Sequence, residues 1–170
     1  VTYVISDSLF DCSNVGANNV VVTATDPSGN VTTCTSIVTV IDSIAPTAIC
    51  QDLTAYLDTT GFVQIGAALL NNGSFDNCAI DTIFHSQCDF FCENVGPNTV
   101  TLTVVDVNGN SSTCTSVVTV VDSIAPGDLC QDATVYLNAS GNGSITTGDI
   151  VDLNAAGYAS DNCDVTYVIS

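Results

Sequence analysis

Residues 99–122 read TVTLTVVDVNGNSSTCTSVVTVVD and contain the pattern that decides the fold. Apolar residues alternate with threonine from Val100 to Val104, Asn108 and Gly109 supply a turn, and the alternation resumes at Val118. A period of two residues on either side of an Asn-Gly turn predicts a β-hairpin. We therefore expect one apolar face that belongs to a core and one threonine-rich face that meets water.

The hairpin lies within a repeated block. Residues 12–52 align without gaps on residues 92–132, with 25 of 41 positions identical. Residues 50–78 and 130–163 also match through the motifs CQD, TxYL and DNC, and the second block is five residues longer. An exact spacing of 80 residues over 41 positions indicates that the chain is built from repeated modules.

Boundaries between modules are marked by the motif DSIAP, where a strand ends and a proline follows at Pro46 and Pro126. The hexapeptide VTYVIS occupies residues 1–6 and recurs at residues 165–170, which predicts a window on a longer tandem array. The predicted modules are the C-terminal half of one module at 1–42, a complete module at 47–122, and the N-terminal half of the next at 127–170.

The composition is acidic and poor in helix formers. The 170 residues include 18 acidic side chains and no lysine or arginine, which gives a net charge of −18. A chain without cationic side chains cannot neutralise phosphates, so nucleic-acid binding and polybasic membrane docking are excluded. No run of 18 apolar residues occurs, which argues against direct membrane insertion. Valine, threonine, serine, asparagine and glycine favour strands and turns, and they predict an all-β fold.

Short strands are also predicted upstream of the hairpin, over Leu53–Leu57 and Phe62–Ile65 and from Ala79 onward. Six or seven short strands within about 80 residues are typical of a β-sandwich. The order CQD, DNC, CxNVGxN and a final strand that ends in DSIAP resembles hyalin-repeat (HYR) modules and the tandem modules of large Bacteroidetes surface and adhesin-type proteins. The resemblance implies tandem immunoglobulin-like β-sandwich modules of about 80–84 residues, with an extracellular adhesive or filament-forming role and no enzymatic activity.

The acidic residues are predicted to gather at one pole of each sandwich, because the linker, the DNC loop and the tip of the last hairpin all lie there. Crowded carboxylates without a cationic side chain repel one another, and Ca²⁺ is the hard cation that accepts many oxygen ligands at flexible geometry. The alternative is that these residues only cap turns and keep the surface soluble. The predicted Ca²⁺ ligands are Asp42, Asp52, Asp76, Asn77, Asp106, Asn108 and Asn110 for the complete module, Asp122, Asp132, Asp161 and Asn162 for the next, and Asp26 and Asn30 for the first.

Nine cysteines in a chain of this size indicate an oxidising, extracellular compartment. Each module has four matching cysteines, which allow three connectivities, and we favour pairing within a module. Cys88 has no counterpart and is either a free thiol, a competitor of Cys92 or a bridge to another chain. The predicted disulfides are Cys12–Cys34, Cys50–Cys78, Cys92–Cys114 and Cys130–Cys163.

Two further features bear on function. His85 lies on a predicted strand without a nucleophile beside it, so the sequence favours no catalytic site. If the resemblance to Bacteroidetes surface proteins holds, the Asp-Ser/Thr-apolar triplets are acceptors of O-glycans. The alternative is that these triplets only form part of the linker and carry no glycan. The triplet hydroxyls belong to Ser43, Ser123, Ser8 and Thr82.

The sequence therefore predicts a structural and adhesive segment of a long extracellular protein, stiffened by Ca²⁺ between neighbouring modules of the same chain. Its partners would be those modules, other copies in a filament and surface glycans. The alternative is a lectin-like module that uses Ca²⁺ to hold a carbohydrate. A cation enclosed by ligands from two modules would favour the first function, and a cation with open coordination positions would favour the second.

Overall fold

The computed structural model describes residues 1–126, 130–150 and 161–163. Strands make up 45% and helices 9% of the structure, so the prediction of an all-β, sandwich-type fold is confirmed. Much of the predicted last half-module, including the second VTYVIS at 165–170, lies outside the described residues. Within the described part, no helix is long and apolar enough to cross a membrane.

The predicted strands are present, and the best hairpin comprises two strands of eleven residues. Two single-turn 3₁₀ helices, Cys12–Asn14 and Cys92–Asn94, precede the first strand of each repeated hairpin. The elements are β1 (Thr2–Ile5), β2 (Gly16–Thr25), β3 (Val31–Val40), β4 (Leu53–Tyr56), β5 (Phe62–Gln64), α1 (Ala67–Leu70), β6 (Ile80–His85), β7 (Asp89–Phe91), β8 (Gly96–Asp106), β9 (Ser111–Val121) and α2 (Thr147–Ile150).

The strands form three sheets in the described part of the chain. The first has the order β1-β2-β3 and is antiparallel, with Gly16 opposite Val40. The second has the order β4-β9-β8-β6, and β4 lies parallel to β9 with Leu53 opposite Val118. The third pairs β5 with β7, a short strand that the sequence did not predict.

The apolar face of the β8–β9 hairpin forms the core, as its alternation predicts. Val100, Leu102 and Val104 on β8 are fully buried, and so is Val118 on β9. The intervening threonines belong to the opposite face, because successive side chains on a strand point in opposite directions. Phe90 on β7 adds the largest buried side chain.

The chain divides into two compact units. Their limits do not coincide with the module boundaries at Pro46 and Pro126. The first unit contains Val1–Ile49, Asn71–Phe84 and Leu102–Cys114, and the second contains Cys50–Leu70, His85–Thr101 and Thr115–Ser170.

The disulfides connect successive repeats. Cys12 in the first 3₁₀ helix bonds to Cys78 in the DNC loop, with 5.4 Å between their Cα atoms. Cys92–Cys163 is the same bond one repeat later, with 5.5 Å between its Cα atoms. Their sequence separations, 66 and 71, differ by the five residues inserted into the second block. Cys50 and Cys114 are also disulfide-bonded.

The predicted pairs Cys12–Cys34, Cys50–Cys78, Cys92–Cys114 and Cys130–Cys163 are therefore wrong. The strand register gives the reason, because Cys34 lies opposite Val22 and Gly16 lies opposite Val40. Cys12 precedes Gly16, so it is separated from Cys34 by at least six residues of strand, or about 20 Å. A disulfide requires Cα atoms within about 7 Å. The other predicted pairs fail because Cys78 and Cys92 have different partners, while Cys34, Cys88 and Cys130 are exposed free thiols.

Candidate metal centre

The turn between β8 and β9 is organised around the carboxylate of Asp106. This residue ends β8 and is only 2% exposed. Its Oδ1 accepts the backbone N–H groups of Asn108 at 2.9 Å and Asn110 at 2.8 Å, and its Oδ2 accepts the side-chain amide of Asn110 at 2.7 Å. Gly109 has a φ of +91°, a left-handed conformation that glycine adopts without strain. The sequence DVNGN thus builds an exposed turn around a buried aspartate.

Hydrogen bonding keeps Asp106 ionised. Burial raises the pKa of this carboxyl, but hydrogen bonds from the side chain of Asn110 and from the backbone of Asn110, Asn108 and Gly109 lower it by more. The pKa of Asp106 therefore lies below its usual value. A negative charge is maintained at the base of the turn.

Asp42 reaches the same turn from the linker that follows β3. Its Oδ1 accepts the backbone N–H of Ile44 at 3.1 Å and the side-chain amide of Asn77 at 3.3 Å. The side-chain amide of Asn110 donates to the backbone carbonyl of Asp42 at 3.3 Å. Residues on both sides of the boundary at Pro46 therefore meet within the first unit.

Asp76 completes the group from the DNC loop. Its Oδ2 accepts the backbone N–H groups of Cys78 at 2.8 Å and Ala79 at 3.2 Å. Each of these two aspartates also has a second carboxylate oxygen, which is Oδ2 in Asp42 and Oδ1 in Asp76. Both oxygens are buried and have no hydrogen-bond partner among the described residues. Ligand atoms of Asp42, Asp76 and Cys78 all lie within 4.8 Å of one another.

This arrangement is electrostatically costly without a cation. Two carboxylates within 4.8 Å repel by roughly 3.5 kcal/mol at an effective dielectric constant of about 20. The chain has no lysine or arginine to offset the repulsion. Cys78 Sγ is bonded to Cys12 and is no thiolate ligand, so the donors at this site are oxygens. A hard divalent cation such as Ca²⁺ prefers carboxylate oxygens as ligands, and each of these two carboxylates has one oxygen without a hydrogen-bond partner.

The second unit repeats part of this arrangement. Asp122, the counterpart of Asp42, accepts the backbone N–H of Ile124 at 3.1 Å, the distance found between Asp42 and Ile44. Asp161 Oδ1 and both polar side-chain atoms of Asn162 are buried without a hydrogen-bond partner among the described residues. Unpartnered buried polar atoms therefore recur at the next module boundary.

The remaining predicted ligands have other local roles. Asp52 lies in the second unit, where its carboxylate accepts the backbone N–H of Val117 at 2.7 Å. Asn108 and Asp132 are exposed. Asp26 and Asn30 form a turn like that of Asp106, and Asn30 is exposed. Within the first unit, the structure brings together Asp42, Asp76, Asn77, Asp106 and Asn110.

The hydroxyl residues of the glycan triplets, Ser43, Ser123, Ser8 and Thr82, are all exposed. Beside the Asp42 site, a cleft of the first unit is lined by Phe10, Val15 and Asn77 together with the Cys12–Cys78 disulfide. Sequence reasoning missed this disulfide, although it borders the site. The spacing of the cysteines does not reveal this disulfide, because bonds within one repeat and bonds between successive repeats would both recur once per repeat.

Buried polar atoms without a hydrogen-bond partner among the described residues occur at both module boundaries. A scan against protein-family models and a search of curated proteins find no match to this chain. Chemistry that could bind a ligand is therefore most developed at the first boundary, where Asp42 and Asp76 lie together beside the Cys12–Cys78 disulfide.

Proposed function

We propose that this chain is a structural and adhesive segment of an extracellular tandem-repeat protein, in which Ca²⁺ bound at module boundaries stiffens a stalk or filament. The observation that supports it most directly is the pair of buried, unpartnered oxygens of Asp42 and Asp76, which come from opposite sides of the linker at Pro46. A cation between them would hold two modules in one orientation, because it binds both at once.

We propose Ca²⁺ rather than Mg²⁺ as the cation because the chain offers many carboxylate and amide oxygens and no fixed octahedral arrangement is required for Ca²⁺. Ca²⁺ takes about six to eight oxygens from carboxylates, carbonyls and water at flexible geometry, whereas Mg²⁺ requires a near-ideal octahedron. Asp42 and Asp76 would supply charged oxygens, while Asn77 and Asn110 hold Asp42 in place through their amides. Asp122, Asp161 and Asn162 would play the same part at the second boundary.

The wider properties of the chain agree with an extracellular array. Three disulfides are compatible with an oxidising compartment. The resemblance to hyalin-repeat and Bacteroidetes adhesin-type modules supports an adhesive role and surface display. Exposed hydroxyls at Ser43, Ser123, Ser8 and Thr82 are available for O-glycans. We include glycosylation at these four positions in the proposal, and mass spectrometry of the native protein tests it.

Calcium titration of protein stripped with a chelator tests the proposed function. We expect two sites per chain by isothermal titration calorimetry, weaker binding of Mg²⁺, and a rise in the free energy of unfolding of about 2.7 kcal/mol for each site when Ca²⁺ is at 100 times its Kd. Asp42→Asn should remove one site and Asp122→Asn the other. Stripped protein that binds no Ca²⁺ at millimolar concentration and unfolds at an unchanged temperature would contradict the proposal.

Asp81→Asn is the matched control for charge. Asp81 is exposed on β6, so its replacement removes one negative charge without touching either boundary. Both Ca²⁺ sites should persist in this variant. An equal loss of affinity in Asp81→Asn and Asp42→Asn would mean that only net charge matters and that no specific site exists.

A lectin-like function is the second candidate, because the cleft beside Asp42 has an aromatic wall at Phe10. A carbohydrate that needs the cation must reach it, yet Asp42 Oδ2 and Asp76 Oδ1 are buried. The burial therefore favours the structural function. Calcium-dependent binding to a glycan array that Phe10→Ala abolishes, with Ca²⁺ affinity unchanged, would favour the lectin function instead.

A further inference from the structure

The Cys12–Cys78 disulfide gives the chain a second covalent connection past the first linker. It joins two residues that are 66 positions apart in the sequence, and their Cα atoms are separated by only 5.4 Å. Residues 13–77 lie between the two cysteines and contain β2 to β5 and the linker at Pro46. Tension along the chain therefore passes from Cys12 to Cys78 through the disulfide, because the shorter connection becomes taut first.

The Cys92–Cys163 disulfide does the same at the second linker. Its cysteines are 71 positions apart, and their Cα atoms are separated by 5.5 Å. Residues 93–162 lie between them and contain β8, β9 and the linker at Pro126. The five additional residues of the second block lie between Cys130 and Cys163, so they are also bypassed and do not lengthen the taut connection.

Only residues 79–91 connect the two disulfides along this taut path. They comprise β6, the short strand β7 and the residues beside them. Cys78 and Cys92 are 14 positions apart, so the segment between them spans at most about 50 Å when it is fully extended. A repeat of 80 residues without such a bypass would span about 280 Å. The two disulfides thus limit the extension of one repeat about fivefold.

Most of the core lies outside the taut path. The buried valines and leucine of β8 and β9 lie between Cys92 and Cys163. Within residues 79–91, Phe90 is the only fully buried side chain. Tension on the taut path can pull β6 and β7 from their sheets, but it does not act along β8 and β9. The core hairpin therefore remains in place to receive β6 again when the tension falls.

Stabilisation alone does not require bonds between repeats. A disulfide within one module would also restrain the unfolded chain, because the restraint depends on the length of the loop that the bond closes. Such a bond would leave each linker as the single covalent connection between modules. Bonds between successive repeats add a second and shorter connection, which is what a fibre under tension requires.

We propose that the path through Cys12–Cys78, residues 79–91 and Cys92–Cys163 carries tensile force along the array and fixes its maximum length. The linkers and the proposed cation sites lie in the slack segments that the disulfides bypass. Ca²⁺ would therefore set the angle between modules, while the disulfides set the extension. This inference rests on the proposed role as a stalk or filament, but the length limit does not depend on Ca²⁺.

Stretching single 170-residue chains in an optical trap, between tags at Val1 and Ser170, tests the inference. Free thiols are first alkylated, so that no disulfide exchange occurs during the pull. We expect the oxidised chain to reach a limit of about 120 Å at high force. Dithiothreitol reduces each disulfide to two thiols and is itself oxidised to a cyclic disulfide, and it should raise the limit about fivefold, to about 590 Å.

Paired serine variants test which bonds fix the length. Changing Cys12 and Cys78 together to serine should lengthen the oxidised chain at least twofold, because tension must then pass through residues 13–77. The matched control changes Cys50 and Cys114 together to serine. Both are disulfide-bonded, but they lie in the bypassed segments, so the limit should stay at about 120 Å. These limits belong to the covalent path and can be measured even where a variant unfolds.

Two results would overturn the proposal. One is an oxidised chain that extends as far as the reduced chain, and the other is a control variant that lengthens as much as the variant without the Cys12–Cys78 bond. The limits should be the same in Ca²⁺ and in chelator. Absence of Ca²⁺ binding would therefore refute the cation clamp and leave this inference standing.

Discussion

The hairpins β2–β3 and β8–β9 have nearly the same local geometry in different surroundings. In the first, Asp26 accepts the backbone N–H groups of Ser28 at 2.9 Å and Asn30 at 2.8 Å and the side-chain amide of Asn30 at 2.7 Å. In the second, Asp106 makes the three equivalent hydrogen bonds at the same three distances. Yet Asp106 is 2% exposed, and Asp26 is only half buried.

The difference shows that the hydrogen bonds within the turn are determined locally, whereas burial is determined by the linker and loop that pack beside it. DPSGN and DVNGN each contain the aspartate, glycine and asparagine that the turn requires. Beside Asp106, Asn110 donates a hydrogen bond to the carbonyl of the linker residue Asp42, and the backbone N–H of Val107 donates to the carbonyl of Ala79. The linker and the loop residues around the turn, rather than the turn itself, therefore account for the burial of Asp106.

The largest expected effect comes from opening one disulfide between repeats. Changing Cys12 and Cys78 together to serine releases a loop with a sequence separation of 66 residues. The chain-entropy model predicts a loss of about 4 kcal/mol in the free energy of unfolding. Urea unfolding under non-reducing conditions in a dilute, monomeric sample measures it.

The second boundary supplies the comparison for this prediction. The Cys92–Cys163 pair, with a separation of 71, should lose the same amount when both residues become serine. Cys34→Ser should leave the free energy of unfolding unchanged, because Cys34 is an exposed free thiol. Double variants as stable as the parent chain would show that these bonds do not restrain the unfolded state.

Matched valines in the two hairpins give a smaller effect that tests the difference in burial. Val118→Ala removes two methyl groups from a fully buried position and should cost about 2 kcal/mol. Val38→Ala, at the half-exposed counterpart, should cost less than half as much in a monomeric sample. Urea unfolding of both variants checks the ratio, and equal losses would contradict the contrast between a covered and an uncovered face.

The same comparison shows what the sequence predicts and why. Alternating apolar residues and turn residues predict the two hairpins and the strands β4, β5 and β6. The return of loops to one pole of the sandwich predicts that Asp42 meets Asp76 and Asn110. Strand β7, Asp89–Phe91, has three residues like β5, but no turn motif comparable to the DTTG before β5 marks it in the sequence. Local patterns thus predict long alternating strands and short strands that a turn motif delimits.

The disulfides show where such prediction ends. Every module repeats the same four cysteine positions, so a bond from Cys12 to Cys78 recurs at the same intervals as a bond within a module. Only the strand register, which separates Cys12 from Cys34 along β2, decides between them. Register is a property of the folded sheet, which is why the sequence led to the wrong pairs.

Acid titration of the two turn aspartates gives the smallest expected effect. The pKa of Asp26 is lowered chiefly by the side-chain amide of Asn30, and that of Asp106 is lowered although burial raises it. A carboxyl group whose pKa is lower in the folded state than in the unfolded state, where it is about 3.9, stabilises the fold at a pH above that unfolded pKa. This stabilisation is lost as the pH falls through the pKa of the folded state. In chelator, the free energy of unfolding should therefore decline below about pH 4, less steeply in Asp26→Asn and in Asp106→Asn. Carboxyl titration by NMR checks the cause, and a midpoint for either residue at or above the unfolded value would show that the turn hydrogen bonds do not favour the ionised form.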